Sequence, residues 1–153
     1  MTNIPKIYLL CGLPGSGKTT FAKALEGNGI IRFTLDEKFF EKYGKDFPFE
    51  RYQEYERQIK LAILESVKSL IKESASVILD WGFWKSTERE AVKRFAEAQG
   101  ADWELLYFRC STERLLDRVK NRKKNDNHII THAMMQSFIA NFEEPNDEGE
   151  IIK

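Results

Sequence analysis

The order of apolar and amphipathic segments predicts an α/β fold built on a parallel β-sheet. Short apolar runs alternate with longer segments of helical periodicity, which is the pattern of β-α-β units joined by right-handed crossovers. The first apolar run, residues 7–10, does not alternate polar with apolar residues, as expected of a strand buried on both faces. The chain of 153 residues has the length of one domain, so we predict a single domain over residues 1–153.

Four apolar runs are predicted as the main strands of the sheet. Each is short, and a glycine or a polar residue follows it within two positions, which marks the end of a strand. A fifth strand is predicted as a short stub at residues 150–153. The four main predicted strands are residues 7–10, 30–33, 77–79 and 105–108.

Helices are predicted where apolar residues recur at spacings of three and four. The longest pattern of this kind covers residues 49–72. Thr87 and Glu90 fit a capping box at the start of a helix over residues 87–99. The remaining predicted helices are 19–25, 37–43, one that begins at Ser111 or Thr112, and 131–142.

The segment between the first strand and the first helix fits the phosphate-binding pattern G-x-x-x-x-G-K-[ST]. Its glycines let successive backbone N–H groups converge on an anion at the N-terminus of the following helix. Lys18 is expected to reach the β- and γ-phosphates, and the Thr19 hydroxyl to ligate Mg²⁺. The alternative is a glycine-rich turn with an incidental lysine. The residues assigned to the triphosphate are Gly12, Leu13, Pro14, Gly15, Ser16, Gly17, Lys18, Thr19 and Thr20.

Two aspartates follow predicted strands at the edge of the sheet where ligands of such folds bind. Asp36, after the second strand, could accept a proton from an acceptor hydroxyl, or it could cap the helix that follows. Asp80, after the third strand, could hold Mg²⁺ as a Walker B aspartate, or it could be a capping or salt-bridge residue. No second acid follows Asp80, which disfavours a hydrolytic motor that polarises water.

Aromatic and basic side chains near this edge also have two interpretations each. The aromatic residues of segment 81–84 could form the floor of an acceptor pocket or belong to the core. Arg114, Arg118 and Arg122 share one helix face. Such arginines could stabilise the charge of the transferred phosphoryl group, or they could be a solvated basic face.

Composition limits the classes of partner. With 24 basic and 24 acidic residues the net charge is zero, which argues against a broad nucleic-acid surface but leaves a local basic channel open. No apolar stretch is long enough for a membrane span, and no signal-peptide core is present, so a cytoplasmic protein is expected. Cys11 and Cys110 are expected to be buried thiols at strand ends, and the acidic tail 142–150 is expected at the surface.

A family resemblance covers nearly the whole chain, and five short segments spread along it carry the resemblance. They are residues 9–20, 35–36, 77–84, the Arg118-x-x-x-Arg122 helix and residues 142–149. In these segments the chain resembles the bacterial P-loop small kinases related to the kinase domain of polynucleotide kinase, chloramphenicol phosphotransferase and zeta toxins. Members of this group are often described as AAA-family ATP-binding proteins.

The resemblance implies a three-layer P-loop NTPase fold with strand order 2-3-1-4-5, and ATP with Mg²⁺ as the bound nucleotide. Asp36 matches the aspartate that acts as the base in the better-known relatives. Arg118 and Arg122 match by pattern the arginines of a lid helix, and the lid would lie around residues 114–130. The chain lacks a clear arginine shortly after Asp36, where Lys38 is the nearest cation, so a nucleic-acid 5′-hydroxyl acceptor is not favoured.

The sequence therefore favours an ATP-dependent phosphotransferase that moves the γ-phosphoryl to a hydroxyl of a small molecule or nucleotide. The catalytic residues assigned to it are Lys18, Asp36, Arg118 and Arg122, with Thr19 and Asp80 as metal ligands. The alternatives are a nucleotide-binding regulatory protein with slow ATP hydrolysis and a zeta-toxin-like kinase. The expected partners are ATP and a hydroxyl-bearing acceptor, with nucleic acid open but not favoured and no membrane.

Overall fold

In the computed structural model of the protein, the described residues are 4–35, 51–120 and 132–153, without the side chains of Tyr52, Val119 and His132. Strands and helices alternate through most of these residues, as the sequence predicts. In chain order the elements are β1 (Lys6–Cys11), α1 (Lys18–Glu26), β2 (Ile31–Thr34), α2 (Tyr52–Lys72), β3 (Val77–Gly82), α3 (Ser86–Ala98), β4 (Asp102–Tyr107), α4 (Thr112–Lys120), α5 (His132–Asn141) and β5 (Ile151–Ile152).

The five strands form one parallel sheet in the order β2-β3-β1-β4-β5. This order confirms the arrangement 2-3-1-4-5. The short β5 pairs with Leu106 and Tyr107 of β4, so the predicted fifth strand is present. Strand β1 lies at the centre, and the loop that follows it therefore emerges in the middle of the carboxyl edge of the sheet.

Helices cover both faces of the sheet and produce three layers. Helices α2 and α3 pack on one face, and α1 packs on the other. The buried residues of α2 recur every four positions because one side of the helix lies on the sheet. They are Ile59, Ile63, Val67 and Ile71. Among the described residues, no helix is both long enough and apolar enough to cross a membrane.

The start of α3 differs from the prediction. The helix begins at Ser86, one residue earlier than predicted, and the capping box of Thr87 and Glu90 is not the device that caps it. The Ser86 backbone N–H and hydroxyl both donate to Oε1 of Glu143, at 3.0 and 3.2 Å. A carboxylate from the C-terminal segment therefore satisfies the first turn of this helix.

The sequence predicts that segment 142–150 is an acidic tail at the surface, but several of its residues are held against the rest of the protein. Pro145 is buried, and the Tyr107 hydroxyl donates to Glu144 at 3.1 Å. The carboxylate of Glu148 forms an ion pair with the fully buried Arg89. These contacts fix the segment across the ends of β3 and β4.

The two cysteines differ in their surroundings. Cys11 ends β1 and is fully buried, as expected, and its thiol donates to the carbonyl of Phe83 at 3.3 Å. Burial raises the pKa of the Cys11 thiol to about 12, so it stays protonated at neutral pH. Cys110 is only partly buried because it lies in the loop after β4 and not at the end of the strand. The expectation of a second buried strand-end thiol is therefore wrong.

Candidate nucleotide site at the carboxyl edge of the sheet

The glycine-rich loop joins β1 to α1 and is anchored at its first residue. The Gly12 N–H donates to the carbonyl of Gly82 at 2.9 Å, which ties the loop to the end of β3. A Cβ atom on Gly12 would lie 2.7 Å from Ser16 Oγ and 3.1 Å from the carbonyl oxygen of Phe108. Only glycine fits this position without moving the loop.

The N-terminus of α1 is suited to an anion. Gly17 precedes the helix with φ of +103°, which is a conformation that glycine adopts at little cost. Within residues 4–35, 51–120 and 132–153, no side chain caps this helix, and no acidic residue lies in its first turn. The first N–H groups of the helix and its positive dipole end are therefore directed at the loop, where a phosphate would bind.

Lys18 lies inside the curve of the loop. Its ammonium donates to the carbonyl oxygens of Gly12 and Leu13, each at 2.9 Å. These contacts hold a positive charge against the first residues of the loop, beside the N-terminus of α1. The phosphate contact of Lys18 stays a prediction.

Arg118 reaches the same loop from α4. Its guanidinium donates to the carbonyl oxygen of Gly15. A Cβ atom on Gly15 would lie 3.6 Å from Cβ of Arg118, so helix and loop approach closely. Arg114 lies one turn earlier, where its backbone N–H donates to the Ser111 hydroxyl at 3.3 Å, which makes Ser111 the cap of α4. The structure thus brings one predicted arginine onto the phosphate-binding loop.

Asp80 is engaged by a cation from the neighbouring strand. Nε and Nη2 of Arg32 both donate to Oδ2 of Asp80, at 3.1 and 2.8 Å, and the Asp80 side chain is only 6% exposed. Arg32 also lies 3.6 Å from Glu26 of α1. This geometry is that of the salt-bridge alternative, and the metal role of Asp80 stays a prediction.

Two of the predicted catalytic residues, Asp36 and Arg122, lie outside the described residues, as does most of the predicted lid region, from residue 121 to residue 130. The described part of that region is residues 114–120 of α4, which carry Arg114 and Arg118. The predicted helix 37–43 also lies outside the described residues.

The donor set for Mg²⁺ consists of oxygen atoms. The Thr19 residue is exposed in the first turn of α1, directly after Lys18, and Asp80 is the fourth of the six residues of β3, inside the strand and not after it as predicted. Hydroxyl and carboxylate oxygens fit this ion. Within the three described segments, no group of three or more His, Cys, Asp or Glu side chains could hold a metal.

A buried ion pair between Arg89 and Glu148 lies next to the turn that anchors the phosphate-binding loop, and it was not predicted from the sequence. Arg89 of α3 is fully buried, donates from Nη1 to the carbonyl of Phe83 at 2.8 Å, and binds both oxygens of Glu148 at 2.8 and 2.9 Å. The hydrogen bonds from Arg89 lower the pKa of Glu148. Phe83 has a positive φ of 48°, and the adjacent Gly82 supplies the carbonyl that anchors Gly12. The pair therefore fixes the turn on which the loop rests.

The aromatic segment after Asp80 divides between two environments. Phe83 is fully buried and belongs to the core, as one of the two interpretations predicted. Trp84 packs against Phe138 of α5 with ring centroids 4.9 Å apart. Trp81 is only partly buried and lies on the face covered by α2 and α3.

Comparison of the sequence with models of protein families identifies the family of this chain. The profile of a family described as an AAA domain (AAA_33) matches residues 7–145. The chain belongs to this AAA-domain family. This match confirms the resemblance stated from the sequence, and solved structures of the same fold cover nearly the whole of this chain. No curated protein matches the sequence.

Three solved structures illustrate the fold of this AAA-domain chain. A chain of the Pnkp1/Rnl/Hen1 RNA repair complex has a TM-score of 0.76 and 22% identity; the match covers 92% of this chain and 45% of that one. A gluconokinase from Sinorhizobium meliloti 1021 has a TM-score of 0.65 and 16% identity, over 98% and 82% of the chains. Kti12 from Chaetomium thermophilum with ADP-AlF3 has a TM-score of 0.65 and 16% identity, over 96% and 88%.

Proposed function

We propose that the protein is an ATP-dependent phosphotransferase that moves the γ-phosphoryl of ATP to a hydroxyl group of a small molecule or nucleotide. The observation that carries this proposal is the convergence of two cations on one loop. Lys18 from α1 and Arg118 from α4 both donate to backbone carbonyls of the phosphate-binding loop. Cations held around a transferred phosphoryl group stabilise its charge in the transition state.

Each predicted site residue has its own role in this phosphoryl transfer. The loop amides and Lys18 bind the phosphates, and Arg118 neutralises charge on the phosphoryl group that moves. Thr19 and Asp80 would hold Mg²⁺, which when bound would withdraw charge from the phosphate groups. Asp36 is assigned as the group that orients the acceptor hydroxyl and accepts its proton.

Transfer is favoured over simple hydrolysis by the surroundings of Asp80. The residue after Asp80 is Trp81 and not a second acid, so the side chain that polarises water in a hydrolytic motor is missing from this position. The likeness to a gluconokinase supports a small hydroxyl-bearing acceptor.

A second candidate is a kinase of nucleic-acid 5′-hydroxyl groups, which the likeness to a chain of an RNA repair complex favours. This chain spans less than half of that relative. An oligonucleotide with a free 5′-hydroxyl, tested beside small acceptors in the same assay, separates the two candidates.

The assignment of Asp36 is tested with γ-labelled ATP and a library of metabolites and oligonucleotides. We expect label to appear in an acceptor and to fall by about 10²-fold or more in Asp36→Asn, because general-base catalysis contributes about this much. Asp102→Asn, an exposed aspartate at the start of β4, is the matched control and should transfer normally. Equal transfer by Asp36→Asn and the parent protein would remove Asp36 as the base.

The assignment of Arg118 is tested by steady-state kinetics of Arg118→Ala. We expect kcat for transfer to fall by about 10²-fold, because a cation aimed at developing charge is lost. Lys120→Ala removes an exposed cation of the same helix and should change kcat by less than about twofold. If Arg118→Ala keeps the kcat of the parent protein, Arg118 has no catalytic role and its contact with Gly15 only packs α4 against the loop.

A further inference from the structure

Trp81 lies near the carboxyl end of β3, the edge of a parallel sheet at which ligands of such folds bind. It is the fifth residue of β3, whose carboxyl end lies beside the phosphate-binding loop. The register of β3 against β1 slips by one residue here, since Leu9 pairs with Leu79 but Cys11 pairs with Gly82. Irregularities of this kind redirect side chains beside functional sites.

Among the described residues, the indole N–H of Trp81 has no hydrogen-bond partner. Its Nε1 atom is buried, and within the described part of the chain it is one of two buried side-chain polar atoms without one. The ring itself is fixed, because it packs against the fully buried Phe83 with centroids 5.1 Å apart. Buried donors of native proteins are almost always paired, so an oxygen acceptor from a bound molecule would complete this one.

Charged side chains lie next to the same ring. The ammonium of Lys60 is 5.8 Å from the centroid of Trp81. Glu56 of α2 lies 2.8 Å from this ammonium, and Glu88 of α3 is bonded to it as well. Burial lowers the pKa of Lys60, but the two carboxylates outweigh it and raise the pKa on balance. The group is therefore one ammonium with two carboxylates.

The chemistry of these groups selects a type of ligand. The carboxylates can accept hydrogen bonds from the hydroxyl groups of a ligand. The ammonium and the indole N–H can donate hydrogen bonds to the oxygen atoms of those hydroxyl groups, and the indole ring can pack against the C–H surface of the ligand. Two carboxylates against one ammonium repel an added phosphate. We name the group the Trp81 cluster, and its members are Trp81, Lys60, Glu56 and Glu88.

We propose that the Trp81 cluster binds the phosphoryl acceptor, and that this acceptor is an uncharged polyhydroxyl compound and not a phosphorylated one. The proposal rests on the proposed phosphotransferase function and narrows its substrate. The fold alone is compatible with two types of acceptor. One is an uncharged polyol or nucleoside and the other is a nucleotide, and this proposal favours the first.

The test uses matched pairs of probes: ribose, glucose, myo-inositol and cytidine, each beside its monophosphate. Binding is measured by calorimetry with Mg²⁺ and a non-hydrolysable ATP analogue, and transfer is measured with γ-labelled ATP. We expect the uncharged member of at least one pair to bind and to accept label in preference to its monophosphate. Trp81→Phe, which keeps the ring and removes the N–H, should weaken acceptor binding by about three- to tenfold and change the KM for ATP by less than twofold.

Two further variants make the test specific. Trp103→Phe is the matched control, because its indole N–H already donates to Glu97 at 3.2 Å, and acceptor binding should not change. Glu88→Gln removes one negative charge from the cluster and should reduce the discrimination against the monophosphates by about threefold or more. This variant keeps the test valid if Trp81→Phe does not fold.

The outcomes distinguish this inference from the proposed function. Transfer to monophosphates in preference to uncharged probes, with no effect of Trp81→Phe or Glu88→Gln, overturns the inference and leaves the kinase intact. Binding of an uncharged probe that depends on Trp81, without any transfer, supports the site and overturns the kinase. Neither binding nor transfer with any probe overturns both.

Discussion

Replacement of Lys18 by alanine is expected to lower kcat/KM for phosphoryl transfer by about 10²- to 10³-fold. The ammonium lies against the carbonyls of Gly12 and Leu13, at the point where the loop and the N-terminus of α1 present their N–H groups. Its removal leaves a phosphate with backbone donors but without the neutralising charge. Transfer kinetics and calorimetric ATP titration measure the two consequences separately.

The matched control for this variant is Lys23→Ala, which removes an exposed lysine from the last turn of the same helix. We expect Lys23→Ala to change kcat/KM by less than about twofold. The thermal midpoint of Lys18→Ala should stay near that of the parent protein, so that a loss of activity is not a loss of fold. Activity of Lys18→Ala within threefold of the parent protein would contradict the assigned role.

Replacement of Arg89 by methionine is expected to lower the free energy of unfolding by about 3–5 kcal/mol, because it leaves the partner of a buried ion pair uncompensated. Arg89 is fully buried and binds both carboxylate oxygens of Glu148 and the carbonyl of Phe83. For a chain of this size the thermal midpoint should fall by about 6–20 °C. Chemical denaturation and thermal melts measure the loss.

A double-mutant cycle identifies the cause of this loss. Glu148→Gln in the Arg89→Met background removes the uncompensated charge and should restore part of the stability. Arg94→Met removes an exposed arginine of the same helix and should change stability by less than about 0.5 kcal/mol. A loss below about 1 kcal/mol in Arg89→Met would show that the pair contributes little to the fold.

The sequence predicted those features that depend on local pattern. The loop from Gly12 to Thr19 is defined by residue types at fixed spacing, and the strands by apolar runs, so both were found without knowledge of tertiary contacts. Helix α2 was found from the recurrence of apolar residues, although Ile71 and not Leu70 is its most buried residue near the end. Boundaries moved by one to three residues: α3 begins one residue early at Ser86, where a carboxylate from far along the chain caps it, and β3 and β4 each extend three residues beyond the apolar run that predicted them.

The features that were missed depend on residues far apart in the chain. Asp80 meets Arg32 across 48 positions, and Arg89 meets Glu148 across 59. One signal for the second pair was available. Arg89 shares a helix stripe with Val92 and Ala96, which are buried, so its charge required a partner inside the protein. The acidic segment near the C-terminus held that partner.

The fate of the γ-phosphate tests the central claim most directly. ³¹P NMR of ATP, Mg²⁺ and the protein with a mixture of hydroxyl-bearing acceptors follows that phosphorus through the reaction. We expect ADP to form together with a new phosphomonoester resonance, and ADP formation to slow strongly when the acceptors are omitted. ADP and inorganic phosphate alone, formed at the same rate with and without acceptors, would contradict a phosphotransferase.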